Sequence, residues 1–346
     1  MTQSKIVKSI KIYDQLDAYF DLEDNGWLGS DVAHSIKINQ NLVLWLFGDT
    51  FIGKKMRDRR GNDWTFINNS IGLMKLKNNY PVDMKYYWST ENGSPASFFQ
   101  NQSELPGDFL WPTNGIILNN HLIIFAMAVN QTLDNSINIA GAVVMKIINY
   151  SDNPGKWMID MWNFNYTEGV PHAGLFSDDG YLYFFLTNRN CFSDGMMLGR
   201  ISADFAKYKH SSESLEYFCG DNWQYSNNNS KQLFKPSNTE TNIYYCRRTK
   251  LFFSTTYRPR DNKILLIWSK KITGPWSEPL KIYDIPEKNR SFPVHSYAVR
   301  IHDWLSQERG TLIISYATNE YGGIDNLMQP EGIGIYRPRF IEVNID

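Results

Sequence analysis

The chain has 346 residues, with 35 Lys and Arg against 36 Asp and Glu, a net charge of -1. A balance this even gives no electrostatic case for binding nucleic acid or an anionic membrane. No run approaches the roughly 18 apolar residues of a membrane helix. The 42 % hydrophobic content supports one large core, so a single domain over residues 1–346 is expected. Aromatic residues make up 15 %, which suits β-structure and also sugar stacking.

The first twenty residues have neither the apolar core nor the small-residue cleavage site of a signal peptide. This predicts a cytoplasmic protein, one exported by another route, or a trimmed chain. Lys5 to Tyr13 alternates like a strand. Gly26 to Thr50, GWLGSDVAHSIKINQNLVLWLFGDT, reads as a β-hairpin. Asp31 to Ile38 alternates, Leu42 to Phe47 is an apolar run, and Asn39, Gln40 and Asn41 make the turn. A turn centred on Gln40 pairs residues whose numbers sum to 80, which sets Asp31 opposite Asp49. Opposed Cβ atoms lie about 4.5–5.5 Å apart, so two carboxylates meet at the open end of the hairpin. One reading is an acid/base pair with split pKa values. The other is two strand-end aspartates bonding to backbone N–H groups.

No helix-period segment exceeds about two turns, and short strands recur in sets. The first set holds the hairpin, Ser70 to Lys77 and Met84 to Ser89. The second holds Thr113 to Leu118, His121 to Val129, Ala142 to Ile148 and Trp157 to Phe164. The third holds His172 to Ser177, Tyr181 to Asn188, Met196 to Ile201 and Leu215 to Cys219. A polar stretch, Ser226 to Thr241, reads as a long loop. The fourth set holds Ile243 to Arg248, Leu251 to Tyr257, Lys263 to Ser269 and Leu280 to Asp284. The fifth holds His295 to Ile301, Thr311 to Thr318 and Gly332 to Val343, and lacks an outer strand that Lys5 to Tyr13 would supply. An all-β, five-bladed β-propeller closed by its N-terminal strand is the expected fold.

In a propeller, residues before the first strand and at the end of the second ring the central pocket. That rule selects Asp31 and Asp49, then Trp111, Thr113 and Asn114, then Glu168, His172, Asn188 and Arg189. It continues with Glu240, Asn242, Tyr257 and Arg258, and ends with His295, Tyr297, Asn319 and Glu320. Carboxylates, amides and aromatic rings converging on one funnel suit a sugar. Asp31, Asp49 and Glu240 are the candidate catalytic groups. Glu240 also reads as an exposed loop residue, His295 as a satisfied strand-end histidine, and Trp111 as a wedge between blades. The turn Ile272 to Ser277 reads as structural, with Trp276 covering a blade edge. Gly-rich phosphate loops and a Gly-x-Ser-x-Gly elbow are absent. Cys191, Cys219 and Cys246 have no metal-ligand spacing and read as free thiols; His295 and His302 lack a third ligand. No cofactor or metal is expected.

Several runs together resemble a known family. They are Trp27 to Asp31, Leu44 to Thr50, Asn68 to Ile71 and Trp111 to Gly115. Leu198 to Arg200, Glu216 to Phe218, Ser269 with Ile272 to Ser277, Ile313 to Asn319 and Tyr336 to Arg339 complete them. The pattern resembles the bacterial domain once labelled "domain of unknown function 4185", now placed with endo-D-arabinanases in glycoside hydrolase family 183. The resemblance implies a five-bladed propeller that cleaves furanosidic glycans, with the Asp31 and Asp49 positions in its catalytic centre. A monomeric glycoside hydrolase with an oligo- or polysaccharide partner is therefore expected. A glycan-binding propeller without turnover is the alternative.

Overall fold

The computed structural model describes residues 6–23, 25–132, 137–165, 169–188, 195–238, 240–258, 261–306 and 310–345, and the side chains of 25, 169–175 and 188 are excepted. The fold is all-β. Five antiparallel sheets of four or five strands follow one another along the chain, and two smaller sheets branch from the first. The first sheet is His34–Asn39, Leu42–Phe47, Ser70–Lys77 and Tyr80–Tyr87. The second is Phe109–Leu118, His121–Gln131, Ile137–Ile147 and Ile159–Asn163. Gly169–Asp178, Tyr181–Asn188, Met197–Ser202, Glu216–Phe218 and the short Trp223–Gln224 form the third. The fourth is Tyr244–Cys246, Leu251–Arg258, Lys263–Ser269 and Leu280–Asp284. The fifth is Val294–Ile301, Thr311–Glu320 and Arg339–Ile345, with Val7–Ile12 as its outer strand.

The period of two along each inner strand splits its side chains between two interfaces. In Leu42–Phe47, Leu44 and Leu46 pack with Leu122 and Ile124 of the second sheet. Val43, Trp45 and Phe47 point the other way, against Ile313 and Phe340 of the fifth. Further along, Phe125 of the second sheet meets Phe184 of the third, and Phe185 of the third meets Ile267 of the fourth. Phe253 of the fourth meets Ile314 of the fifth. Five cores thus join each sheet to the next and the fifth to the first. Runs such as Leu42–Phe47 are apolar throughout because both faces are covered.

Val7–Ile12 pairs antiparallel with Arg339–Ile345, Val7 opposite Ile345 and Ile12 opposite Ile341. Ile6 lies fully buried beside Val343. The sheet edge that the fifth set would leave open is thereby covered by the start of the chain.

The first hairpin keeps its expected register, with His34 opposite Leu46 and Lys37 opposite Val43. It does not end at Asp31 and Asp49, however. The two chains run on, Ser30 pairing with Thr50 and Trp27 with Ile52, into a separate sheet of Asn25–Ser30, Thr50–Lys55 and Arg60–Ile67. Arg60 anchors that sheet. Fully buried, it donates to the carbonyls of Leu28, Leu327, Gly332 and Ile335. The expected strand from Gly332 begins only at Arg339, because Pro330–Gly332 is a 3-10 turn and Tyr336 has a positive φ of 59°. Trp276 does not cover an edge; it packs inward on Phe185 and Phe234 between the third and fourth sheets.

Candidate active site

Asp31 and Asp49 lie where the long hairpin passes from one sheet to the other. Asp31 N–H donates to the Asp49 carbonyl at 3.2 Å, and Gly48 N–H donates to the Asp31 carbonyl at 3.3 Å. Ser30, Thr50 and Ser70 form a fully buried hydroxyl cluster behind this bridge. Ser30 Oγ lies 2.8 Å from both aspartate carbonyls, so the backbone beneath the pair is fixed. The residue before Asp49 must be small: a Cβ on Gly48 would sit 2.5 Å from Asp31 Oδ1.

Both carboxyls line a pocket of about 600 Å³ that also takes in Glu240, Trp111, Thr113, His295, Tyr297 and Asn319. The Trp111 indole donates to Asp49 Oδ1 at 2.8 Å, and Asn68 Nδ2 approaches the same oxygen at 3.5 Å. Tyr297 donates its hydroxyl to Asp31 Oδ2 at 3.0 Å, while Asp31 Oδ1 has no protein partner. Burial holds the Asp31 carboxyl well above the usual carboxylate range, and the neighbouring Asp49 charge adds to this. Burial also lifts Asp49, to about 6, although the Trp111 and Asn68 donors pull it back. Tyr257 donates to Glu240 Oε2 at 2.7 Å and so fixes the third carboxylate. His295 stacks on Tyr297 with ring centroids 5.2 Å apart, and burial lowers its pKa. Met127, Ile137 and Ile139 of the second sheet make an apolar wall facing the acids.

Five expected pocket residues stand elsewhere. A bulge between Pro112 and Asn114 turns Thr113 toward the pocket and Asn114 away from it. Asn114 instead lines a second cavity of about 220 Å³ with His34, Asn242, Asp303 and Trp304. Tyr257 belongs to the core and acts on the pocket through Glu240. Arg258 is exposed and pairs with Asp261 at 3.9 Å, so it does not neutralise the acids. Glu168 and Arg189 lie outside the described residues, as do the side chains of His172 and Asn188. Glu320 turns back to bond Asn326 N–H at 2.8 Å.

Asn68 and Tyr336 were not selected from the sequence. Tyr336 donates to the Asp49 carbonyl at 3.2 Å, from a left-handed residue between 3-10 turns and the last strand. Nothing in the pattern around it signals that approach. Asn68 was legible in principle: Phe47 pairs with Ser70, so Asn68, two residues before that strand, falls opposite Asp49.

Between the two cavities lies Arg300, fully buried, with Nη1 donating to the Thr113 carbonyl at 3.3 Å. A bulge after Tyr297, where Ala298 has a φ of 53°, sends Tyr297 to the pocket and Arg300 to the interior. Burial lowers the Arg300 pKa to about 9, and the Glu240 and Asp303 charges oppose the fall. His302 is pushed down to about 3, first by burial and then by Arg300. Burial lifts Asp303 to about 7. Among the described residues, no three His, Cys, Asp or Glu side chains are grouped to hold a metal ion. No described helix is long and apolar enough to cross a membrane.

The fold recurs in solved structures. A putative hydrolase from Bacteroides ovatus ATCC 8483 superposes with a TM-score of 0.75 at 20 % identity, over 96 % of this chain and 90 % of that one. The catalytic domain of the Coprinopsis cinerea GH62 alpha-L-arabinofuranosidase gives 0.51 at 7 %, over 99 % and 98 %. The GH43 protein BlXynB from Bacillus licheniformis gives 0.51 at 12 %, over 90 % of this chain and 51 % of that one. No curated protein matches the sequence. Residues 13–345 match the family described as "Domain of unknown function (DUF5005)", and the chain belongs to that family.

Proposed function

We propose that this protein is a glycoside hydrolase, a single-domain five-bladed β-propeller that cleaves a furanose-containing, arabinan-like glycan in its central pocket. One observation carries the reading. Two carboxyls on the adjoining arms of the long hairpin open into a pocket of about 600 Å³, both held above the usual carboxylate range, with unequal donors. Asp49 receives two N–H donors, which favour its charged form. Asp31 has one oxygen without a donor and lies beside two other acids, which favours its protonated form. This divides the roles: Asp49 is the nucleophile or base, and Asp31 is the proton donor. Glu240 is the alternative donor. The ring of five interface cores supports the propeller, and so does the shared fold with a GH62 arabinofuranosidase and a putative hydrolase. The furanose preference rests on the motif resemblance to endo-D-arabinanases.

Opposed positions on the hairpin favour the short separation, roughly 5–5.5 Å, of retaining enzymes if these two are the pair, so the first product should keep its anomeric configuration. The test is turnover of arabinans, galactans and fructans by the unmodified protein, with NMR of the first-formed product. Retained configuration on a furanose polymer supports the proposal. Initial inversion removes the pair and points to Glu240 as the distant partner. Binding without turnover on every polymer identifies a glycan-binding propeller instead.

A further inference from the structure

The end of the ring away from the pocket carries a different chemistry. In the fourth sheet, Arg258 and Lys263 lie at the pocket end, so the segments 247–250 and 270–279 lie at the other. Two surface grooves of about 880 and 910 Å³ meet there and share Lys270. In the first, Phe176, Tyr245 and Phe252 form one half-buried aromatic group, with Tyr245 and Phe252 centroids 4.8 Å apart and Phe176 and Phe252 centroids 5.4 Å apart. In the second, Trp268 supplies a further half-buried ring. The cations are Arg247, Arg248, Lys270 and Lys271, all exposed, against two exposed acids, Asp178 and Asp303. Among the described residues, no salt bridge uses Arg247, Lys270 or Lys271.

We infer that this double groove is a second binding site, for an acidic polysaccharide whose sugar faces rest on the aromatic rings while its anionic groups meet Arg247 and Lys270. Aromatic rings take the C–H faces of sugars, and cations held beside them select a chain bearing carboxylate or sulfate. The pocket offers the opposite: three carboxylates and no lysine or arginine among its described lining residues. One protein would then cut a neutral glycan while held on an acidic one, gaining effective concentration from the second contact. The choice of a polysaccharide over other polyanions rests on the hydrolase reading of the pocket; the groove's charge does not.

The experiment is calorimetric titration of the intact protein with polygalacturonate, a carrageenan, neutral arabinan and a single-stranded oligodeoxynucleotide. At least one acidic glycan should bind about tenfold or more tighter than arabinan does at this site, and weaken with added salt. Polygalacturonate alone indicates carboxylate recognition, and the carrageenan alone indicates sulfate. The double variant R247E/K270E, altered only at exposed positions, should lose about tenfold or more of that affinity. Asp31→Asn should bind the acidic glycan as the parent does. The proposal is overturned if neither acidic glycan binds, if R247E/K270E binds unchanged, or if the oligonucleotide binds equally well. Because the readout is binding, it stays readable even if the pocket proves to have no turnover.

Discussion

Two polar cavities lie one beyond the other in this molecule, and Arg300 separates them. Above it, acids open to a pocket, and each is held by a donor from a different sheet: Trp111 for Asp49, Tyr297 for Asp31, Tyr257 for Glu240. Below it, His34 and Asn114 line a smaller cavity, and His302 bonds Ser35 of its lining. His34 Nδ1, His302 Nε2, Asn114 Nδ2 and two Arg300 nitrogens lack protein partners there. Burial acts on both regions with opposite results. It raises the pKa of the upper carboxyls and lowers that of the lower imidazoles. Perturbed groups alone therefore do not mark a site. What distinguishes the upper cavity is like charge, a larger volume of about 600 Å³ against about 220 Å³, and apolar side chains in the same lining as the acids.

The sharpest contrast comes from removing one acid. Asp31→Asn should lower the rate on a furanose polymer by about three orders of magnitude or more, with the glycan still bound, since proton donation acts on the transition state. A smaller loss on an aryl glycoside, whose leaving group needs no proton, would assign Asp31 as the donor. On the lower side, Arg300→Met should leave Glu240 and Asp303 without their buried cation. The expected loss is about 3–5 kcal/mol of stability, read as a lower midpoint in denaturant. An unchanged midpoint would mean that the two cavities do not depend on this residue.

Deleting residues 1–14 tests the ring that holds both cavities in line. It removes the outer strand of the fifth sheet and buried Ile6, so the whole chain should melt several degrees lower. A single transition within about two degrees of the parent would contradict the closure. The smallest effect is on Asp49. Its folded pKa, near 6, exceeds the unfolded value of 3.8, so the unfolded state ionises first as pH rises. Stability from this group is present below about pH 4 and is lost as pH rises through about 6. Asp49→Asn keeps the acceptor for Trp111 and should gain about 1–3 kcal/mol at pH 7 and little at pH 4. Equal effects at both pH values would place the carboxyl in the ordinary range.

Much of this was legible from pattern alone. The strands Tyr181–Asn188 and Lys263–Ser269 fall where their composition and turns put them, because both faces are buried and the apolar run has clear ends. The hairpin body has the expected register, His34 opposite Leu46, although the turn itself closes on Asn39 with Leu42 and an irregularity after Lys37 restores the pairing. What the pattern missed are the irregular backbones. The bulges at Pro112 and Tyr297 each reverse the side on which the following residues point, which misplaced Asn114 and hid Arg300. A period of two cannot register a one-residue insertion. The separate three-stranded sheet of Asn25–Ser30, Thr50–Lys55 and Arg60–Ile67 was hidden for a related reason. Its chains continue the first hairpin without a turn, and the change of sheet occurs at Val32, where φ is 51°.

The central claim is that Asp31 and Asp49 act as one unit, and the dependence of polymer cleavage on pH tests it most directly. A coupled pair gives a bell-shaped profile whose limbs belong to the pair rather than to either residue. The structure leads us to expect that bell in the parent protein, with its upper limb above the ordinary carboxylate range. In Asp49→Asn one limb should disappear or activity should vanish. A variant that keeps the parent's rate and both limbs would show that Asp49 is only a strand-end residue, and the catalytic reading of the pair would be wrong.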